Sequence, residues 1–122
     1  MKFEVQFYKK NRRNHIMDFI LSLDEEAKLD VLALFRKMEE NPFTLGSLSK
    51  KVKSVKNLFE LKIRAKDITI RFFYCYRKNK IIIILHGFVK KSQKIPAKEL
   101  ETAIKRKKEI ENEWLGYFRK KT

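Results

Sequence analysis

Lys62, Arg64, Arg71, His86, Lys90, Lys91 and Lys94 fall within one stretch of 33 residues and are the side chains of this chain best suited to phosphate chemistry. Cutting RNA without a metal requires a base for the 2′-hydroxyl proton, cations to neutralise the phosphorane, and an acid for the leaving 5′-oxygen. Arg64 and Arg71 suit only the second role, because a guanidinium does not give up its proton in a protein. A lysine crowded by other cations releases its proton more readily, which qualifies Lys62, Lys90 and Lys91 as base or acid; His86 titrates in the right range by nature. His86, flanked by Leu85 and Gly87 at the end of a greasy strand, is nevertheless read as a structural hydrogen-bonding histidine. Arg71 sits in the middle of an apolar run, where an idle charge would be costly. A functional role is the preferred reading for it, and a salt bridge to Glu60 is the alternative. These residues alone leave catalysis and simple binding both open.

The charge around them is concentrated. The chain of 122 residues carries a net charge of +15, and residues 50–94 supply +12 of it, with fourteen Lys or Arg against Glu60 and Asp67 only. Charge gathered in one third of a small domain makes a local field that draws in polyanions. Nucleic acid or ribosome is therefore the leading partner class. A membrane surface fits less well, since a basic amphipathic helix would be the usual device and this charge lies in strand-like sequence. Lys50, Lys51, Lys53 and Lys56 read as an RNA-contacting or solvated loop surface, and Phe73, Phe88 and Tyr76 lie near enough to offer stacking platforms for unpaired bases, although Tyr76, like Tyr74, falls on the core parity and is read first as a packing residue. Cys75 is a lone cysteine and His15 and His86 are the only histidines, which removes disulfide and zinc readings and leaves no metal or other cofactor to expect. No apolar run reaches the length of about 20 residues that spans a bilayer, and the N-terminal residues lack a signal-peptide core. A cytoplasmic protein folding as one domain over residues 1–122 is the expectation.

The elements that must hold these side chains can be read from periodicity. Phe3, Val5 and Phe7 alternate as a short strand. Ile16, Phe19, Ile20 and Leu23 follow helical spacing, and Asp24-Glu25-Glu26 opens a second helix with Ala27, Val31, Leu34 and Met38 as its apolar stripe, stopped at Asn41-Pro42. Residues 43–57 read as a basic loop. Three strands follow, LFELKIR, ITIRFFYCY and IIIILHGFV, the last apolar on both faces and so central. Pro96 opens a final helix that buries Ala97, Leu100, Ala103, Ile104, Ile110, Trp114 and Phe118. The order is β-α-α-β-β-β-α, an α+β domain with helices packed on one face of a small, mainly antiparallel sheet. Its other face would be open. With Ile82, Ile84, His86, Phe88 and Lys90 assigned to it, that face would gather Lys62, Arg64, Arg71, His86 and Lys90, with Lys91 and Lys94 on the exit loop.

LFELKIRAKDITIRFFYCY followed by IIIILHGFVKKSQKIPAKELETAIKR resembles the RelE/HigB superfamily of toxins from type II toxin–antitoxin modules, in the phage-derived branch that carries a Glu-Leu strand, an arginine strand and an L-H-G-F-x-K-K exit in that order. The resemblance implies a RelE-like fold and a ribosome-dependent mRNA endoribonuclease that cuts mRNA in the ribosomal A site. It also implies a cognate antitoxin, a HigA-like helix-turn-helix protein, that silences it. On this resemblance Arg71 takes the place of the phosphate-contacting arginine, Lys90 and Lys91 the place of functional basic residues leaving the next strand, and Lys62 a place where arginine is frequent; Arg64 compensates for the lost fork. Lys94 and Phe88 join the RNA-contacting set with Lys50, Lys51, Lys53 and Lys56. The alternative is a non-catalytic RNA- or ribosome-binding module using the same face for docking.

Overall fold

The computed structural model describes residues 2–90 and 94–121, with side chains as far as Glu113. Strand β1 (Glu4–Phe7) leads into helices α1 (His15–Leu21) and α2 (Glu25–Glu40), two single turns of 3₁₀ helix, strands β2 (Ser49–Lys51), β3 (Phe59–Ala65), β4 (Ile68–Arg77) and β5 (Ile81–Lys90), and helix α3 (Ala97–Lys121). The five strands form one sheet in the order β1-β5-β4-β3-β2. Every pair is antiparallel except β1 with β5, which lie parallel because the α1–α2 hairpin and the strands after it return the chain to the same end. None of the described helices is long and apolar enough to cross a membrane.

Local chemistry sets the helix starts. Asn14 Oδ1 accepts the backbone N–H of Met17 and Asp24 Oδ1 that of Ala27, each occupying one of the donors that a helix start leaves free. Pro96 lies just outside α3, its carbonyl accepting from the N–H groups of Glu99 and Leu100. The α1–α2 pair packs on the sheet face formed by Phe59, Leu61, Ile63, Ile70, Phe72 and Tyr74, and Phe72 is its hub, with ring centroids 5.8 Å from Phe19 and 5.1 Å from Phe35. Gly87 lies opposite Phe72. A Cβ there would stand 2.6 Å from Cε1 of Phe72 and 2.7 Å from Cδ2 of Phe19, so the glycine is what lets α1 close on the sheet.

The α+β architecture is the one the sequence predicts, with three differences of detail. First, α3 does not join the other helices; it packs on the opposite sheet face, where the Arg106 guanidinium lies 4.9 Å from the Tyr8 ring centre and donates to the Leu85 carbonyl at 2.9 Å. Second, the register shifts within the β4–β5 pair: Phe73 faces His86, but Tyr74 faces Ile84, leaving Leu85 as the extra residue of a bulge. Ile82 and Ile84 therefore join Tyr74 and Tyr76 on the α1–α2 face, and only His86, Phe88 and Lys90 share the face of Arg71. Third, the basic loop contains an edge strand, β2, whose polar residues carry no hydrophobic period. The buried roles expected of Trp114 and Phe118 lie outside the described side chains.

Candidate nucleic-acid interface

Strand pairing assembles the site residue by residue. On the α3 side of the sheet, Lys50 pairs with Glu60, Glu60 with Phe73, and Phe73 with His86; the next row along is Lys62, Arg71 and Phe88, and the one after it Arg64, Thr69 and Lys90. Because side chains alternate across a strand, these rows share one face. Helix α3 covers the part of that face nearest β1 and β5. What it leaves open is a groove of about 570 Å³ lined by Lys50, Lys62, Arg71 and Lys90, with Glu60 at its floor and Leu100 of α3 in its wall.

Glu60 is the one acid among the groove's lining residues. It is only 4% exposed and forms an ion pair with Arg71 Nη1, whose side chain is itself 12% exposed. The salt bridge weighed from the sequence as the alternative to function is thus present, in the floor of the basic groove. The pairing is incomplete on both sides: Glu60 Oε2 and Arg71 Nε are buried without hydrogen-bond partners. Burial lowers the Arg71 pKa, yet a guanidinium remains charged at any physiological pH. The pKa of Lys90 is lowered first by burial and then by the nearby charges of Arg71, Lys62 and Lys50, so its proton is held less tightly than an ordinary lysine's.

Not every residue expected at the site is brought together. Lys51 and Lys53 line the groove; Lys56, Arg64 and Lys94 are exposed outside that lining, and Lys91 lies outside the described residues. Phe88, expected as a stacking platform for bases, is 6% exposed and stacks on Phe73 and His86, so its ring serves the core. Phe73 is fully buried, and Tyr76 packs among Phe3, Phe43 and Phe59 on the other face. His86 meets the hydrogen-bonding role read for it only at Nδ1, 3.4 Å from Arg106 Nη1; its Nε2 lies 3.3 Å from Glu99 Oε2 but is buried without a hydrogen bond, and burial holds its pKa below the usual histidine value. The wall formed by Ile95 and Leu100 was not anticipated, since periodicity places Leu100 on the buried stripe of α3 without saying which sheet face that stripe meets.

Residues 18–108 match the family described as phage derived protein Gp49-like (DUF891). The fold matches that of a doubly substituted E. coli toxin RelE solved in the free state, with a TM-score of 0.60 and 16% sequence identity over 87% of this chain and 98% of that one. No curated protein sequence matches the chain. The chain belongs to the phage-derived Gp49-like family, and its fold is the one seen in RelE.

Proposed function

We propose that this chain is a ribosome-dependent mRNA endoribonuclease that works without a metal in the ribosomal A site and is neutralised by a HigA-like helix-turn-helix antitoxin. The observation that carries the reading is the groove itself, in which Arg71, Lys62, Lys90 and Lys50 converge on a space large enough for a nucleotide. Arg71 takes the scissile phosphate and offsets the charge that grows on its oxygens in the phosphorane. Lys62, its cross-strand neighbour, adds a second cation at the same phosphate. Lys90, the lysine whose proton is made labile by burial and by its cationic neighbours, protonates the departing 5′-oxygen, while the 2′-hydroxyl that attacks the phosphorus gives its proton to Lys91 in its neutral form. Lys50, Lys51 and Lys53 hold the flanking phosphates, while Arg64, Lys56 and Lys94 extend the basic surface beyond the groove. Lys91, one residue past Lys90, completes the set proposed for catalysis.

The experiment is induction of the chain in growing cells with and without co-expression of any short helix-turn-helix reading frame found beside its gene, followed by mapping of mRNA 5′ ends. The reading expects growth arrest, cuts phased to codons, and suppression of both by the antitoxin. Growth arrest with intact mRNA would favour a non-catalytic ribosome-binding module. No arrest and no cuts would remove the toxin activity altogether.

A further inference from the structure

Among the described residues, three buried side-chain nitrogen or oxygen atoms lack a hydrogen-bond partner, and two of them, Glu60 Oε2 and Arg71 Nε, belong to the ion-paired residues that line this one groove. Folded proteins seldom leave such atoms unpaired, because each unsatisfied buried polar group costs about 1–3 kcal/mol. The ion pair explains why the two residues are neighbours. It does not explain why each keeps a further hydrogen-bonding position idle, the carboxylate as an acceptor and the guanidinium as a donor. A ligand that satisfies both presents a donor to the carboxylate and an acceptor to the guanidinium, and an anionic acceptor makes the stronger bond. In an RNA strand every 2′-hydroxyl lies beside a 3′-phosphate and offers that combination; DNA offers the phosphate alone.

We propose that Glu60 and Arg71 together form a ribose-reading pair, in which Glu60 Oε2 accepts the 2′-hydroxyl and Arg71 Nε donates to the adjoining phosphate, so that the groove selects ribonucleotides over deoxyribonucleotides. The inference rests on the reading of the groove as an RNA site. The same-face cross-strand neighbours of Glu60 are Lys50 and Phe73, and those of Arg71 are Lys62 and Phe88; the two rings are buried and fixed, while the flexible stems of Lys50 and Lys62 can swing toward an incoming phosphate and open the way in from that side. The carboxylate is a poor neighbour for an anion, and the six cations of the groove lining, Lys50, Lys51, Lys53, Lys62, Arg71 and Lys90, outweigh it. Selection by an unpaired polar group is the kind that discriminates strongly, because a ligand without the matching group leaves the buried atom unsatisfied again.

The test compares, by fluorescence anisotropy at one fixed salt concentration, binding of the purified full chain to a short single-stranded RNA, the same strand with 2′-fluoro sugars, and the DNA equivalent. The 2′-fluoro strand keeps the phosphates and the RNA-like sugar pucker and loses only the donor. RNA should bind about tenfold more tightly than either analogue, as expected for one hydrogen bond to a charged group, and in Glu60→Gln the preference should shrink to within about twofold. Equal binding of RNA and 2′-fluoro RNA by the unmodified protein overturns the proposal, and needs no variant that might misfold. A preference that survives unchanged in folded Glu60→Gln also overturns it, by assigning the 2′-hydroxyl to another group. Failure to bind any of the three strands would instead remove the RNA reading of the groove, which separates the two failures.

Discussion

Replacing Glu60 by Met while keeping Arg71 strands a guanidinium that is 12% exposed next to Lys50, Lys62 and Lys90, with no anion left in the groove lining. Breaking a buried ion pair by removing one partner costs about 3–5 kcal/mol, and the added repulsion from three lysines puts this variant at the upper end of that range. The reverse change, Arg71→Met, leaves the carboxylate among the same lysines, which can turn toward it; its cost should be smaller, about 1–3 kcal/mol. Removing both charges leaves two methionines beside Phe73 and Phe88, and such apolar replacements of a buried pair are often neutral, so the double variant should lie within about 1 kcal/mol of the parent. For a chain of this size 1 kcal/mol moves the melting temperature by about 4 °C. Glu60→Met should therefore melt roughly 16–20 °C below the parent, Arg71→Met roughly 4–12 °C below it, and the double variant close to it. Urea titrations of the four proteins give the coupling energy directly. Additive single effects, or Arg71→Met proving the worse of the two, would refute the reasoning. The same numbers warn that Arg71→Ala does not cleanly separate activity from folding, and that Arg71→Lys is the better functional variant.

Other consequences follow from the packing and the titratable groups. Gly87→Ala would drive a methyl group to 2.6 Å from the Phe72 ring, and overpacking of this kind should cost about 1–3 kcal/mol, read as a lower urea midpoint with an unchanged slope. Burial pushes the Cys75 thiol up to about 11, so a thiol reagent at pH 8 should label it only as fast as the protein opens, and equally fast labelling of native and urea-unfolded protein would contradict its placement. His86 and His15 are both held below the ordinary histidine value, chiefly by burial, in a neighbourhood that contains Arg106 and Glu99. A lowered folded-state pKa means that the unfolded chain takes up protons first as pH drops. The stability these histidines contribute is thus complete above pH 6.5 or so and declines below it, and the melting temperature should fall between about pH 6.5 and pH 5 less steeply in His86→Gln than in the parent.

How far the sequence could be read depended on whether one face of each element was polar. In β3 and β4 the alternation of Phe59, Leu61 and Ile63 with Glu60, Lys62 and Arg64, and of Ile70 and Phe72 with Arg71, specified both the strands and the face that bears the charge. In β5 the run Ile81-Ile82-Ile83-Ile84-Leu85 is apolar at both parities, so nothing in it could announce the bulge at Leu85 or the switch of Ile82 and Ile84 to the other side. The burial of Phe88 was hidden for a related reason: it lies beside Arg71 in register, and only the placement of α3 over that face determines whether its ring meets water. In that placement Arg106 of α3 donates to the carbonyl of Leu85, the bulged residue, a contact between two features neither of which has a sequence signature. β2, three polar residues at a sheet edge, could be recognised only from its pairing with β3. The Glu60–Arg71 pair was legible as one of two readings for Arg71. The sequence posed them as rivals, and the groove has room for both, since a paired arginine can still offer its remaining edge to a phosphate.

The central claim is tested most directly with the purified chain added to a translation mixture containing one defined mRNA, with cleavage mapped by primer extension while the same mRNA is either translated or held untranslated. The account predicts cuts in the translated mRNA alone, at codon-phased positions, undiminished by a chelator of free transition metals, and lost in Arg71→Lys, which keeps the charge but gives up the planar fork. Intact mRNA beside a translation block, or equal cutting by parent and Arg71→Lys, would contradict it.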